Sequence, residues 1–290
     1  MSEILNKHGF SFQKKYGQNF LQDVKIPRRI AAECSEYQKP ENAKIEALIL
    51  EIGPGAGILT KELADIFEKV TAVEIDTSLE PVLAETLAGC DNAEVVFGDV
   101  MDKDLEELLE PRRITPDGRK LPVSVCANLP YYITTPILMK LAEQYSDFDY
   151  ITVMVQKEVA TRLTAAPGTA EYGSITAALN LYGTVKRLFT VPSGCFYPRP
   201  KVDSAVVRIS FHKPAKYTKN QISAASKVIK AAFAVRRKTL VNGISSISEL
   251  SKAELSQLVA DAFDGNANVR GETLSADQFV MLAQKLGITE

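Results

Sequence analysis

From residue 47 onward, short apolar runs alternate with stretches of helical spacing, and this alternation restricts the possible folds more than any other feature of the chain. Ala47–Ile52 is a continuous apolar run, after which Ile58, Leu59, Leu63, Ile66 and Phe67 recur at helical intervals. The same exchange predicts further strands at Val70–Ile75, Ala93–Phe97, Val123–Ala127, Tyr150–Val155, Val185–Val191 and Ala205–Phe211. Helices are expected between them at Leu79–Leu87, about 102–109, Pro136–Gln144, Lys157–Leu163 and Ile175–Tyr182. Strands that return through helices lie parallel, so the expected class is α/β, a mostly parallel seven-stranded sheet covered on both faces. The last two strands are joined by a short loop holding Pro192, Pro198 and Pro200, which predicts an antiparallel last strand.

Beyond the polar stretch Lys213–Lys219 the pattern is helical only. Ile222, Ala225, Ile229, Ala232 and Phe233 share a face, while Ser251 with Glu254 and Ser275 with Gln278 resemble capping boxes. The expected boundary is therefore near residue 212. It separates an α/β domain, 1–212, including an N-terminal segment 1–46, from a small all-helical C-terminal domain, 213–290. A basic excursion, Arg112–Lys120, is expected at the surface between the third and fourth strands.

Composition excludes several classes. With 290 residues, 46% hydrophobic and 24% charged, the chain can bury a large core and is not a disordered segment. It has no run of eighteen apolar residues, and its first thirty residues hold no long apolar stretch, so a soluble cytoplasmic protein without a membrane partner is expected. Cys34, Cys90, Cys126 and Cys195 form no CxxC pair, and His8 and His212 are the only imidazoles. Neither a disulfide framework, a metal site nor a His-based triad is suggested. The net charge of −2 conceals an asymmetry: residues 1–30 carry +4 and residues 206–248 carry +9 with no acid, against −11 over 31–205. Such basic stretches are either solvated surface or the footprint of a polyanionic partner.

The turn after the first strand reads Glu51-Ile52-Gly53-Pro54-Gly55-Ala56-Gly57. Gly53 and Gly55 would let backbone approach a ligand closely. As a dinucleotide fingerprint the turn fails, because Ile58 stands where the third glycine is needed, so a nucleoside is the better expectation. Glu74 ends the second strand, placed to accept from both ribose hydroxyls, and Asp99 ends the third, placed to accept from an adenine amino group. Either acid alone would serve equally to cap the next helix; two at successive strand ends after a glycine turn favour the nucleoside. Asn128 ends the fourth strand and begins Asn128-Leu129-Pro130-Tyr131, followed by Tyr132. Ligands of open parallel sheets bind at these carboxyl ends, where such a turn would handle an exocyclic amine.

In order and spacing these pieces resemble the ribosomal small-subunit RNA adenine N6-dimethyltransferase family, a branch of the class I (Rossmann-like) S-adenosylmethionine-dependent methyltransferases. The resemblance rests on Tyr16–Leu21, Glu51–Gly57, Val73–Asp76, Gly98-Asp99, Asn128–Tyr132 with Thr134, Thr135 and Pro136, Cys195–Ser204, and Arg236–Leu240. It departs at Arg199, where proline is more usual, and at Val241, where a basic residue is usual. The resemblance implies an enzyme that uses S-adenosylmethionine to dimethylate N6 of two adjacent adenines in a 3'-terminal hairpin loop, within a pre-ribosomal particle, as a monomer. It implies that Asn19, Leu21, Gly53, Glu74, Asp99 and Asn128 contact the methyl donor. It also implies that Asn128–Tyr131 and Phe196 hold the target base. Lys14, Lys15, Arg236, Arg237 and Lys238 are the cations expected to grip RNA. The alternatives are a large-subunit RNA methyltransferase of the macrolide-resistance type and a non-catalytic assembly factor on the same fold.

The residues allow a mechanism without a strong base. The N6 lone pair is delocalised into the ring, and acceptors for its N–H groups would localise it. The Asn128 side-chain oxygen and the backbone carbonyl of Leu129 or Pro130 are the expected acceptors, with Tyr131 and Phe196 stacking the turned-out base from either side.

Overall fold

A computed structural model describes residues 2–10, 13, 19–23, 25–36, 43–130, 133–145, 147–235 and 238–288. The chain divides into two compact units, Met1–Ala160 with Lys186–Ser210, and Thr161–Val185 with Phe211–Glu290.

The first unit is built on β2 (Ile45–Ile52), β3 (Phe67–Glu74), β4 (Ala93–Phe97), β5 (Val123–Asn128), β6 (Phe148–Gln156), β7 (Gly183–Val191) and β9 (Ser204–Phe211). β1 (Phe20–Leu21) and β8 (Phe196–Tyr197) form a separate two-stranded ribbon. The sheet order is β4-β3-β2-β5-β6-β9-β7. β2 lies parallel to both β3 and β5, β3 to β4 and β5 to β6, and β9 alone runs antiparallel to β6, from Tyr150↔Ser210 to Gln156↔Ser204. The expected sheet is therefore found, antiparallel last strand included. Leu48, Ile49 and Leu50 at its centre are wholly buried, as strands covered on both faces require. From β2 the chain steps outward to β3 and β4, then returns to β5 on the other side. That reversal opens a crevice beyond the ends of β2 and β5.

The Arg112–Lys120 excursion lies at the surface as expected, and one buried side chain anchors it to the body. Arg113 is buried, donating through Nε to the Leu121 carbonyl at 2.7 Å and through Nη1 to the Tyr145 hydroxyl at 2.8 Å and Asp147 at 2.9 Å. A buried guanidinium must satisfy its donors, and the loop is shaped around that need.

The single cut near 212 gives way, because the chain passes into the second unit twice. Thr161–Val185 belongs with the C-terminal helices: Tyr172, Ala177 and Leu181 are buried in one cluster with Ala225, Val228, Leu255 and Phe279. The Tyr172 hydroxyl donates to the Leu274 carbonyl at 2.8 Å. Ala177 on the helix Ser174–Leu179 packs into that core. Both expected capping boxes form, at Ser251/Glu254 and Ser275/Gln278, and a third at Thr218/Gln221 starts the helix Lys219–Ala234. Among the described residues no helix is long and apolar enough to cross a membrane.

Candidate active site

The turn Gly53–Gly57 is possible only because its glycines take left-handed backbone: φ is +71° at Gly53 and +57° at Gly55. Side chains elsewhere would also collide, since a Cβ on Gly55 would stand 2.6 Å from Cε1 of Phe20. This tight turn, the ends of β3 and β5 and the β1 strand line an open cleft. Of the expected residues, Asn19, Leu21, Gly53, Gly55, Glu74, Asn128, Leu129 and Pro130 all line it.

Glu74 is only 4% exposed, and both of its oxygens are engaged: Oε2 accepts from Gly55 N at 3.0 Å and Oε1 from Asp76 N at 2.9 Å. Burial raises its carboxyl above the ordinary value, opposed by those backbone N–H groups. Each carboxylate oxygen keeps a second lone pair, so a hydroxyl in the cleft still has an acceptor. The N–H bonds fix the direction in which that acceptor points.

Asn128 ends β5, where its amide Nδ2 donates to the Asn19 carbonyl at 3.3 Å. This leaves Oδ1 as an acceptor. The next two carbonyls are not equivalent. Pro130 O already accepts from Ile133 N at 3.2 Å and from the Thr134 hydroxyl at 3.1 Å, which shape the turn. Leu129 N completes the sheet ladder by donating to Met154 O at 3.2 Å. Of the two carbonyls considered, Leu129 is the one without a hydrogen bond among the described residues.

Other expected residues fall elsewhere. Asp99 is absent from the cleft lining; its Oδ1 accepts from Met101 N at 2.8 Å and caps the short turn Val100–Asp102, the ordinary work of a strand-end carboxylate. Phe196 is 4% exposed and packs with Leu21, Ile30, Cys34 and Met154 in the apolar core, so in this arrangement its ring is not a surface against which a base can lie. Alternation along the ribbon turned it inward. Lys238 is exposed in the second unit, where its N–H donates to Val235 O. Lys14, Lys15, Tyr131, Arg236 and Arg237 lie outside the described residues.

The cleft also contains groups not singled out from the sequence. Ile75 is 41% exposed directly after Glu74, an apolar surface suited to the face of a heterocycle. Its signal was an isoleucine in a strand-end turn, where a polar residue is usual. Glu51, 1% exposed, also lines the cleft, and its Oε2 is buried without a hydrogen-bond partner among the described residues. Burial pushes its carboxyl up to about 8, and the neighbouring Glu74 charge adds to the rise. An orphaned carboxyl oxygen beside a glycine cradle fits a cationic ligand with a nucleoside end, as a sulfonium amino acid nucleoside is, because the ligand's positive charge would favour the ionised form.

The chain matches the family described as ribosomal RNA adenine dimethylase over residues 9–285. It is 40% identical over 285 residues to the ribosomal RNA small subunit methyltransferase A of Lachnoclostridium phytofermentans, covering 97% of this chain and 93% of that one. It is 42% identical over 288 residues to the protein of the same name from Listeria monocytogenes, covering 99% and 94%. In fold it is similar to a dimethyladenosine transferase from Plasmodium falciparum, with a TM-score of 0.73, 24% identity and coverage of 93% and 99%. It is also similar to the 23S rRNA methyltransferase ErmE, with a TM-score of 0.66, 24% identity and coverage of 93% and 100%.

Proposed function

The chain belongs to the ribosomal RNA adenine dimethylase family, and from that premise we propose that its cleft places N6 of an adenine between Asn128 and Leu129 for successive methyl transfers. It is an S-adenosylmethionine-dependent methyltransferase whose substrate is small-subunit ribosomal RNA. The donor supplies an electrophilic methyl group on a sulfonium centre.

The observation that carries the reading is the orientation of the Asn128 amide. With Nδ2 committed to the Asn19 carbonyl, Oδ1 accepts one N–H of the target amine and the Leu129 carbonyl accepts the other. Two acceptors draw the nitrogen toward a tetrahedral shape, localise its lone pair and aim it along the attack line. After transfer the nitrogen is positively charged and acidic, so its proton leaves without a strong base. A monomethylated amine still has one N–H, and either acceptor holds it for the second transfer. Glu74 receives the ribose hydroxyls, Ile75 supports the base of the donor, and Glu51 faces its cationic end; Gly53 and Gly55 let backbone approach it, with Asn19 and Leu21 closing the near side. Asp99, with one oxygen already capping a turn, serves the donor's adenine amine through its remaining acceptor capacity.

Tyr131, directly after the acceptor turn, stacks on the base. Lys14, Lys15, Arg236, Arg237 and Lys238 contact phosphates; the +9 carried by residues 206–248 supports that assignment. The substrate form is a pre-ribosomal particle met by a monomer in the cytoplasm, with two adjacent adenines of a 3'-terminal hairpin loop as targets. Mass spectrometry of small-subunit RNA from cells lacking the protein, treated with pure enzyme and donor, should find N6,N6-dimethyladenosine as the end product at two adjacent sites. Modification confined to large-subunit RNA, or a monomethyl product with excess donor, would overturn the reading.

A further inference from the structure

We propose that Tyr197, with Arg199 and Lys201, forms a stacking platform for the RNA base that flanks the reacting adenine, an inference that rests on the adenine methylation reading above. The argument concerns the two faces of the β1–β8 ribbon. Directly opposed residues of an antiparallel pair project to the same side. The register opposes Leu21 to Phe196 and Phe20 to Tyr197. Leu21 and Phe196 both pack in the apolar core with Ile30 and Met154, and Leu21 also reaches the edge of the cleft. Phe20 points the other way, against the glycine turn, and its ring lines the cleft. Tyr197 therefore projects on the same side of the ribbon as Phe20, the side that faces the glycine turn.

Its exposure gives that placement meaning. Tyr197 is 47% exposed although a phenol ring is ordinarily a large buried surface with a polar tip. Immediately beyond it come Pro198, Arg199, Pro200 and Lys201, with both cations exposed and Arg199 steadied by Nε donation to the Ser193 hydroxyl at 3.1 Å. The next acid, Asp203, accepts from Ser193 N at 2.9 Å and so binds the loop to itself. An exposed ring followed by two cations in a proline-stiffened segment supplies base stacking and phosphate neutralisation together, the combination that single-stranded RNA requires. When one adenine enters the cleft, its neighbour in the strand is left unstacked at the rim, where a ring on the Phe20 side of the ribbon can receive it.

The probe is a single-stranded oligoribonucleotide carrying 2-aminopurine beside an adenine, added to the full-length protein. Wild type should quench its fluorescence. Tyr197→Ala should abolish the quenching and weaken binding by about 5- to 150-fold, the range expected for one base stacked on one ring. Tyr197→Phe should keep both within about twofold, because the ring and not the hydroxyl does the stacking. The pair Arg199→Ala and Lys201→Ala should keep the quenching but flatten the salt dependence by about one to two ions. A Tyr197→Ala variant of unchanged thermal midpoint that binds and quenches like wild type would overturn the platform, as would a Tyr197→Phe variant as impaired as Ala. Methylation of small-subunit RNA by wild type is scored separately: if that fails while the quenching pattern holds, the function reading falls and the RNA platform stands.

Discussion

At the end of β3 the carboxylate of the cleft is committed to the protein's own backbone, whereas at the end of β5 an acceptor is left over among the described residues. Glu74 holds Gly55 N and Asp76 N, and the glycine turn is locked against Phe20. Across the cleft, Asn128 spends only its donor, on Asn19, and Pro130 rather than Leu129 supplies the carbonyl that closes the turn. On the proposed reading one wall is shaped to bind the donor, and the other presents lone pairs that matter most when the target nitrogen becomes tetrahedral. Mutations on the two walls should therefore separate binding from turnover.

The largest effect is expected from Asn128→Ala. Loss of one transition-state acceptor should lower the single-turnover rate by about 10²- to 10³-fold while RNA affinity changes little. A rate within threefold of wild type, read in a rapid-quench assay, would erase the distinction between the walls. Glu74→Ala comes next and should act on the other side: donor affinity by calorimetry should fall by about 1–3 kcal/mol, with the rate at saturating donor nearly retained. A fall in rate without a fall in affinity would reverse the assignment.

Gly55→Ala should cost about 1–3 kcal/mol in denaturant unfolding, since it places a Cβ at positive φ and against the Phe20 ring. Donor affinity should fall with it. An unperturbed variant would mean that the turn can yield.

Glu51 is expected to act on the pH dependence of stability. Its folded carboxyl is raised to about 8 from an unfolded value of 4.5, so the folded state holds the proton more tightly. The stabilisation is complete below pH 4.5 and is lost as pH rises toward 8. Glu51→Gln cannot titrate, so its stability relative to wild type should improve across that window by at most about 1.4 kcal/mol per pH unit. Parallel denaturation curves at pH 5, 6, 7 and 8 measure the slope; identical slopes in both proteins would show that Glu51 carries no such penalty.

The binding wall was the more legible in the sequence. A strand, three glycines and a helix leave little choice of backbone, and a carboxylate at the next strand end must lie beside that turn once the strands are parallel. The catalytic turn was half legible. Asn128 could be placed at a strand end, but its amide orientation depends on Asn19, 109 positions away, and the choice between two carbonyls depends on Thr134. Asp99 shows the reverse: the same strand-end logic as for Glu74 held for its position, while local capping claimed one of its oxygens.

By itself the sequence determined the order of strands and helices, the parallel sheet, the glycine turn and the capped helices, because each follows from local spacing or from a backbone angle that one residue type permits. Tertiary structure decided the rest. It moved Thr161–Val185 into the helical unit, since an apolar face goes to whichever core can cover it. It also chose between Phe196 and Tyr197. A strand of two residues has no period to read, so the face each ring occupies was set only when β8 paired with β1. Side chains alternate along a strand, and a shift of one residue in that pairing would have exchanged the buried ring for the exposed one.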